Sequence, residues 1–323
     1  MSRLLITGGK GFLGQALTKE FTEHSDRFTS VDTFRSSEYD LRDKEAVQQL
    51  LADKKPEIIV HLAATVGGIG ANKKHPGLFF YENLMMGVHL IEESRLFGVK
   101  KFVQAGTICS YPKFTPVPFK EEELWNGYPE ETNAPYGIAK KALMVQLQAY
   151  RQEYGFNGVT VLPVNLYGPR DNFELESSHV IPAMLRKFHT AKEEGVPVVH
   201  LWGDGSPSRE FLYVDDAARA IRLATEKYES SEPVNLGSGQ EITMKKLASV
   251  IQRTVGYQGE VNWDVSKPNG QPRRCLDTSR AENEFGFKAN VTLPMGLEMT
   301  YEWFVENFSV IRDGEQAGER AST

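Results

Sequence analysis

The chain has 323 residues, 40% of them hydrophobic, enough to fill the cores of two compact lobes around one cleft. A net charge of −6 argues against a nucleic-acid or anionic-membrane surface, so an anionic substrate would need a local arginine cluster instead of a global field. Cys109 and Cys275 are the two cysteines, which excludes a disulfide framework and fits a reducing cytoplasm. No stretch approaches the ~20 apolar residues of a membrane span, and Met1–Ile6 lacks the apolar core of a signal peptide.

Leu4-Leu5-Ile6 reads as a short buried strand, followed at once by Thr7-Gly8-Gly9-Lys10-Gly11-Phe12-Leu13-Gly14. Glycines at 8, 11 and 14 open an amphipathic helix through Ala16-Leu17 and Phe21, a pattern that lets backbone approach a pyrophosphate at a positive helix N-terminus. The second strand, Phe28–Val31, ends at Asp32, an acid suited to the adenine-ribose diol of NAD. Lys10 and Arg35 pull the other way, since cations there suit the 2′-phosphate of NADP. Asp40 precedes a helix through Val47 and Leu50-Leu51, and either reaches the adenine or caps that helix.

Pro56–Ala64 is a strand whose tip, Leu62-Ala63-Ala64, is small enough for close approach to a cofactor, and Val66–Gly70 reads as a flexible loop able to close over a sugar. A long helix over Pro76–Phe97 carries Asn83, positioned to brace the catalytic helix. Strand Lys101–Gln104 delivers Ala105-Gly106-Thr107-Ile108-Cys109. Tyr136 and Lys140 lie four apart and share one face of a helix running to Gly155, where an ammonium would lower the phenol's pKa. A phenol beside an ammonium suits carbonyl reduction, and Thr107 adds a hydroxyl to the same carbonyl oxygen. Cys109 adds a thiol that hydride transfer does not require.

Val159–Val164 is a further strand, leading into Asn165-Leu166-Tyr167-Gly168-Pro169-Arg170. Alternating strands and helices predict an α/β fold, a Rossmann-type doubly wound parallel sheet, with a smaller C-terminal α/β substrate-binding lobe. The expected division is a dinucleotide-binding domain over 1–168 and a substrate lobe over 169–323, with some segments returning to the first domain and a flexible tail over 313–323. In the second lobe His179 opens a helix and Trp202-Gly203-Asp204-Gly205 forms a turn. Helices are expected from Tyr213 to Tyr228, over Thr243–Thr254 and over Leu297–Phe308, with a strand at Pro233–Leu236. Arg209 and Arg274 would be costly as unpaired interior charges, which makes a diphosphate partner attractive. His179 has a competing role as a helix cap, Trp202 as core packing, and Cys275 is read as a small core residue.

Thr7-Gly8-x-x-Gly11-x-x-Gly14, Tyr136-x-x-x-Lys140 and Asn165-x-Tyr167-Gly168-Pro169 together resemble the extended short-chain dehydrogenase/reductase superfamily over nearly the whole chain. A narrower likeness is to the GDP-L-fucose synthase family of epimerase/reductases. It is carried by Val66-Gly67-Gly68-Ile69, Cys109–Lys113, Asn133–Tyr136, Asn165–Phe173, Ser178–Ala183 and Trp202 through Leu212. This resemblance implies Cys109 as base and His179 as acid in C3/C5 epimerisation of a 4-keto sugar, with Tyr136, Lys140 and Thr107 acting at C4. It further implies that Pro163, Asn165, Leu166, Ala105, Gly106 and His179 touch the cofactor. Val66, Gly67, Asn165, Val180, Lys187, Trp202, Arg209, Asn269 and Arg274 are implied to touch a GDP-sugar. Ile108 and Ser110 depart from the family's usual residues around the base, and Lys187 and Asn269 stand where arginine and aspartate are common.

The implied activity is conversion of GDP-4-keto-6-deoxy-D-mannose to GDP-L-fucose with NADP(H) favoured and NAD(H) possible. An NAD-dependent nucleotide-sugar epimerase without net redox is the alternative, and a nonenzymatic dinucleotide sensor is disfavoured by the intact Thr107, Tyr136 and Lys140. The expected setting is a cytoplasmic homodimer with no nucleic-acid or membrane partner and no metal.

Overall fold

The computed structural model describes residues 2–175, 177–267, 269 and 271–321; Pro268 and Gly270 of the expected Lys267–Arg274 loop lie outside them. Six strands form the first sheet: β1 (Ser2–Thr7), β2 (Phe28–Thr33), β3 (Ile58–His61), β4 (Lys101–Ala105), β5 (Gly158–Pro163) and, from much later in the chain, a strand at Val234–Leu236. Their order is β2-β1-β3-β4-β5 with Val234–Leu236 outermost, and every pairing is parallel. Chain order reverses between β1 and β3, so the crevice beyond their C-terminal ends is the natural ligand position of this topology.

The strands are apolar on both faces because helices cover both. Leu4 and Ile6 face one core with Leu17 and Phe21 of α1 (Phe12–His24), whereas Leu5 faces the other. That second core is filled by α2 (Lys44–Lys54), α4 (Pro76–Phe97) and α5 (Ala134–Tyr154) through Val47, Leu51, Leu90, Ile91, Leu143 and Leu147. Between β3 and α4 lies a short α3 (Ile69–Lys74), so the expected flexible loop at Val66–Gly70 is already turning into helix at its end. Asn72 pins it by donating to the Gly67 and Gly68 carbonyls at 2.9 and 3.1 Å.

At Val164 the chain passes from one sheet to the next. β5 ends at Pro163, and β6 (Asn165–Tyr167) pairs with the second lobe's central strand β8 (Ser208–Tyr213). Before β8 come α6 (Val180–Glu193) and β7 (Val198–Trp202). After it α7 (Val214–Lys227) returns to pack on α1, with Arg222 Nε 2.8 Å from a Glu20 oxygen, and leads into β9 (Val234–Leu236). β10 (Glu241–Thr243) pairs with β8, α8 (Met244–Val255) follows, and β11 (Glu260–Asp264) pairs with β7. β12 (Arg273–Arg274) then runs parallel to the first residues of β8, with Arg274 beside Arg209. α9 (Ser279–Phe285) and α10 (Leu293–Ala321) close the chain. The core of the second lobe is aromatic: Phe173 stacks on Phe304 with ring centroids 4.6 Å apart, beside Phe188 and Phe211. α10 makes the backbone of 313–321 helical, while 322 and 323 lie outside the described residues. Among the described residues no helix is long and apolar enough to cross a membrane.

Candidate active site

The phosphate-cradle geometry follows from two glycines. Gly8 adopts φ +70°, and a Cβ there would lie 2.8 Å from the Ala63 nitrogen; a Cβ on Gly14 would run into the Gly8 carbonyl oxygen. The Gly11 amide donates to that same Gly8 oxygen at 3.0 Å, and Gly11 begins α1 without any side-chain cap, so Phe12 and Leu13 present first-turn amides. These features fit a dinucleotide: a tight backbone cradle, an uncapped helix N-terminus and the small tip Leu62-Ala63-Ala64, all at the switch point of the sheet. Thr7 holds the tip by accepting from the Ala63 amide at 3.2 Å while its hydroxyl meets His61 Nδ1 at 2.7 Å. Burial, then the nearby Lys140, hold His61 neutral, with its pKa well below the ordinary value.

Around the adenosine end, Lys10 and Arg35 are exposed, and Asp32 accepts from its own strand neighbour Ser30 at 2.8 Å. Asp40 does not cap α2, the second of its two expected roles. The cap of α2 is Asp43, which accepts from the Glu45 and Ala46 amides. Asp40 is instead gripped by Arg42, whose Nη2 lies 2.7 Å away and which also pairs with Glu82. Those bonds lower the Asp40 pKa. Asn83 does not brace α5 either. Its amide donates to the Thr65 and Phe79 carbonyls at 2.8 and 2.7 Å and its oxygen accepts from the Thr65 amide, tying α4 to the loop after β3.

Thr107 follows β4, whose last residue is Ala105, after Gly106, and its hydroxyl caps a single 3-10 turn at Ile108–Ser110 by accepting from the Cys109 amide at 3.1 Å. Tyr136 and Lys140 rise from the first turns of α5 on one face, with Lys140 Nζ 6.0 Å from the Tyr136 ring centre. The expected lowering of the phenol's pKa is not found. Burial raises it, Cys109 adds to the rise, and only a hydrogen bond from Thr107 opposes. Burial falls on the ammonium as well, pulling Lys140 down to about 8. In so dry a corner desolvation outweighs the attraction between the two groups. Ile108 is buried in the core, and Ser110 donates to the Gly137 carbonyl at 3.1 Å, which ties the turn to α5.

Opposite this corner stands the second lobe. His179 directly precedes α6 and makes no side-chain cap bond, which removes its structural alternative; the surrounding walls lower its pKa. The Gly68 amide donates to the Ser177 carbonyl at 3.2 Å, drawing Val66-Gly67 towards the same mouth. Val180 and Lys187 lie half-buried on α6, the latter with its pKa lowered by burial. Trp202 is 67% exposed at the end of β7, so it is no core residue. Asn269 accepts from the Asp204 amide at 3.0 Å and thereby holds the turn after Trp202. Asn165 donates to the Glu210 carbonyl at 2.9 Å, fixing Pro163-Val164-Asn165-Leu166 between the two sheets.

Arg209 is half-buried, and its Nη1 donates to the Ser208 carbonyl at 2.7 Å; burial and the adjacent Arg274 lower it to about 10. Arg274 donates from Nε to Gln271 at 2.6 Å and from Nη1 towards Cys109 Sγ at 3.8 Å. Gln271 and the Cys109–Arg274 contact were not legible in the sequence, because 165 residues separate thiol and guanidinium. Cys275 is core, as expected, and burial first, then Glu210, push its thiol up to about 12. Among the described residues no group of three or more His, Cys, Asp or Glu side chains is arranged to hold a metal ion.

Residues 4–237 match the NAD dependent epimerase/dehydratase family. The chain belongs to this family. Within it, the chain is 40% identical over 306 residues to GDP-L-fucose synthase 1 of Arabidopsis thaliana, covering 95% of this chain and 94% of the relative. It is also 40% identical over 314 residues to GDP-L-fucose synthase of Escherichia coli, covering 94% and 97%. Among solved structures it resembles a GDP-6-OMe-4-keto-L-xylo-heptose reductase from C. jejuni, with a TM-score of 0.89, 30% identity and coverage of 95% and 98%. A GDP-L-fucose synthetase from Naegleria fowleri bound to NADP gives 0.87 at 28% identity, covering 95% of each chain.

Proposed function

We propose that this protein converts GDP-4-keto-6-deoxy-D-mannose to GDP-L-fucose with NADPH, epimerising at C3 and C5 and reducing at C4. The observation that carries this reading is Cys109: a thiol at the reduction corner, in electrostatic contact with the Tyr136 phenol, is superfluous to ketone reduction but suits removal of a proton α to the ketone. Relatives named for that reaction, at 40% identity over nearly the full chain, support the choice of substrate.

Gly8, Gly9, Gly11 and Gly14 with the first amides of α1 would hold the pyrophosphate, and Lys10 and Arg35 a 2′-phosphate. Leu62–Ala64, Ala105, Gly106, Pro163, Asn165 and Leu166 would line the remainder of the cofactor. When bound, NADPH supplies hydride to C4. Cys109 takes the proton from C3 or C5, leaving an enolate on O4, and His179 returns a proton from the other face. Thr107 and Tyr136 bind O4, and Tyr136 protonates it as it becomes an alkoxide, with the Lys140 ammonium steadying the developing charge. Arg209 binds the diphosphate, and Trp202, Lys187, Val180 and Asn269 line the nucleotide side.

The working division is a cofactor lobe over 1–168 with returning segments from beyond it, and a sugar-nucleotide lobe from the remainder. Exposed Phe80 and Tyr81 on α4 and Val145 on α5 support a homodimer, and two free thiols suit the cytoplasm. Incubating the protein with GDP-4-keto-6-deoxy-mannose and either NADPH or NADH, then identifying the sugar, tests the reading. GDP-L-fucose with one nicotinamide consumed per sugar is expected. A C4-reduced sugar with C3 and C5 unchanged overturns the epimerase half. Isomerisation without net consumption favours the NAD-dependent alternative, which Asp32 at the end of β2 supports.

A further inference from the structure

The two interior arginines are not equivalent. Arg209 spends one bond on its neighbour's carbonyl. Arg274 is aimed instead by a chain of bonds that begins in the first lobe: Gln271, 8% exposed, donates to the Lys113 carbonyl at 2.7 Å, and its oxygen accepts from Arg274 Nε at 2.6 Å. With Nε so held, the planar guanidinium turns Nη1 towards Cys109 Sγ at 3.8 Å. The other groups that act on this place are Arg209 and Tyr136, both of which interact electrostatically with Cys109, and Glu130, which interacts with Arg274.

We propose that Arg274, aimed by Gln271, is the positioning residue that orients Cys109 Sγ towards the substrate and faces the anion it becomes when it acts as a base, and is not primarily a diphosphate ligand. A guanidinium suits this place because it stabilises the anion yet keeps all its protons, so it cannot quench the base it supports. In the step it serves, the thiolate takes a proton from the carbon α to the ketone: an S–H bond forms, a C–H bond breaks, and the C–H electron pair moves into an enolate ending on O4. The use in carbon-acid chemistry rests on the function proposed above; the support of the thiolate does not.

The test is the rate at which iodoacetamide modifies Cys109, read by peptide mass spectrometry on the protein without substrate, so that buried Cys275 is scored separately. Arg274→Gln should slow modification at pH 7 by about tenfold, since the thiolate formed on the way to alkylation loses its charge-assisted donor. Arg274→Lys, which keeps the charge, should stay within about threefold of wild type, and Gln271→Met, which frees the guanidinium, should fall between. GDP affinity should change by less than about threefold in Arg274→Gln, against the larger loss expected for Arg209→Ala. Deuterium exchange at C3 and C5 of the keto sugar should fall in step with alkylation. Wild-type alkylation in Arg274→Gln, or in Gln271→Met should the former fail to fold, overturns the proposal. Slower alkylation without any C3 or C5 exchange in wild type supports the contact and overturns the function it was proposed to serve.

Discussion

The corner proposed for reduction and the corner proposed for epimerisation are built in opposite ways. Tyr136 and Lys140 stand one helical turn apart on a single helix, with Thr107 beside them, and burial dominates both their charges. Cys109, His179, Arg209 and Arg274 come from a 3-10 turn, a helix start and two paired strands of the second lobe. The first corner is local and dry. The second is assembled across the cleft and is rich in cations. The two environments meet where Cys109 interacts electrostatically with the buried Tyr136 phenol.

The sharpest way to break this comparison is Tyr136→Phe. Reduction should fall by roughly 10²–10⁴, the usual worth of a positioned acid, while deuterium still washes into C3 and C5 of the keto sugar. Parallel loss of both activities, measured by NADPH oxidation and by NMR of the sugar, would mean that the two corners are one. Next in size, Arg209→Ala should weaken GDP binding by ~1.5–3 kcal/mol, as expected when a charge-assisted contact is removed. Calorimetric titration with GDP alone reads this directly, and unchanged affinity would move the diphosphate away from β8.

The two corners should also part company with pH. Burial holds Lys140 at about 8, so its ammonium is present below that value and lost above it. Reduction at saturating substrate should therefore decline above pH 8, by about tenfold per unit once the lysine titrates. Isotope exchange at C3 and C5, whose protons move through Cys109 and His179 and need the ammonium only to steady the enolate, should show a shallower limb. A pH profile of both half-reactions from 7 to 10 distinguishes them. The smallest effect is expected at Asp32. Its carboxylate disfavours a 2′-phosphate but is partly solvated and already engaged with Ser30, so Asp32→Ala should shift the NADPH/NADH preference towards NADPH by only about threefold. A shift in the other direction in the ratio of kcat/KM values would remove Asp32 from the adenosine site.

The two corners also differ in how far they could be read before folding. Helical spacing alone puts Tyr136 and Lys140 on one face, and the unbroken apolar run Leu4-Leu5-Ile6 foretells a strand covered on both sides. What spacing does not carry is the sign of the phenol's shift, because burial depends on packing from remote segments. Asp40 as a cap and Asn83 as a brace fail for a related reason. Each is a short polar side chain with several partners in reach, and the partners that won, Arg42 and Thr65, are fixed by tertiary geometry. Arg274 is the extreme case: its pairing with Cys109 exists only because β12 lies against the start of β8 and Gln271 reaches Lys113.

The handover at Val164 bears on how the chain can be dissected. A single residue separates β5 of one sheet from β6 of the next, and β5 receives its outer neighbour, β9, only after the chain has passed through much of the second lobe. A fragment ending at Gly168 would leave β5, whose residues 158–162 are buried, as a bare edge with its hydrogen-bonding groups unpaired, a ready template for joining another molecule. It would also lack the α7 surface that covers α1. The N-terminal stretch is contiguous in sequence yet incomplete as a folding unit, so severing it from residues 214–236 should yield aggregates, whereas supplying that segment in trans offers a route to reassembly.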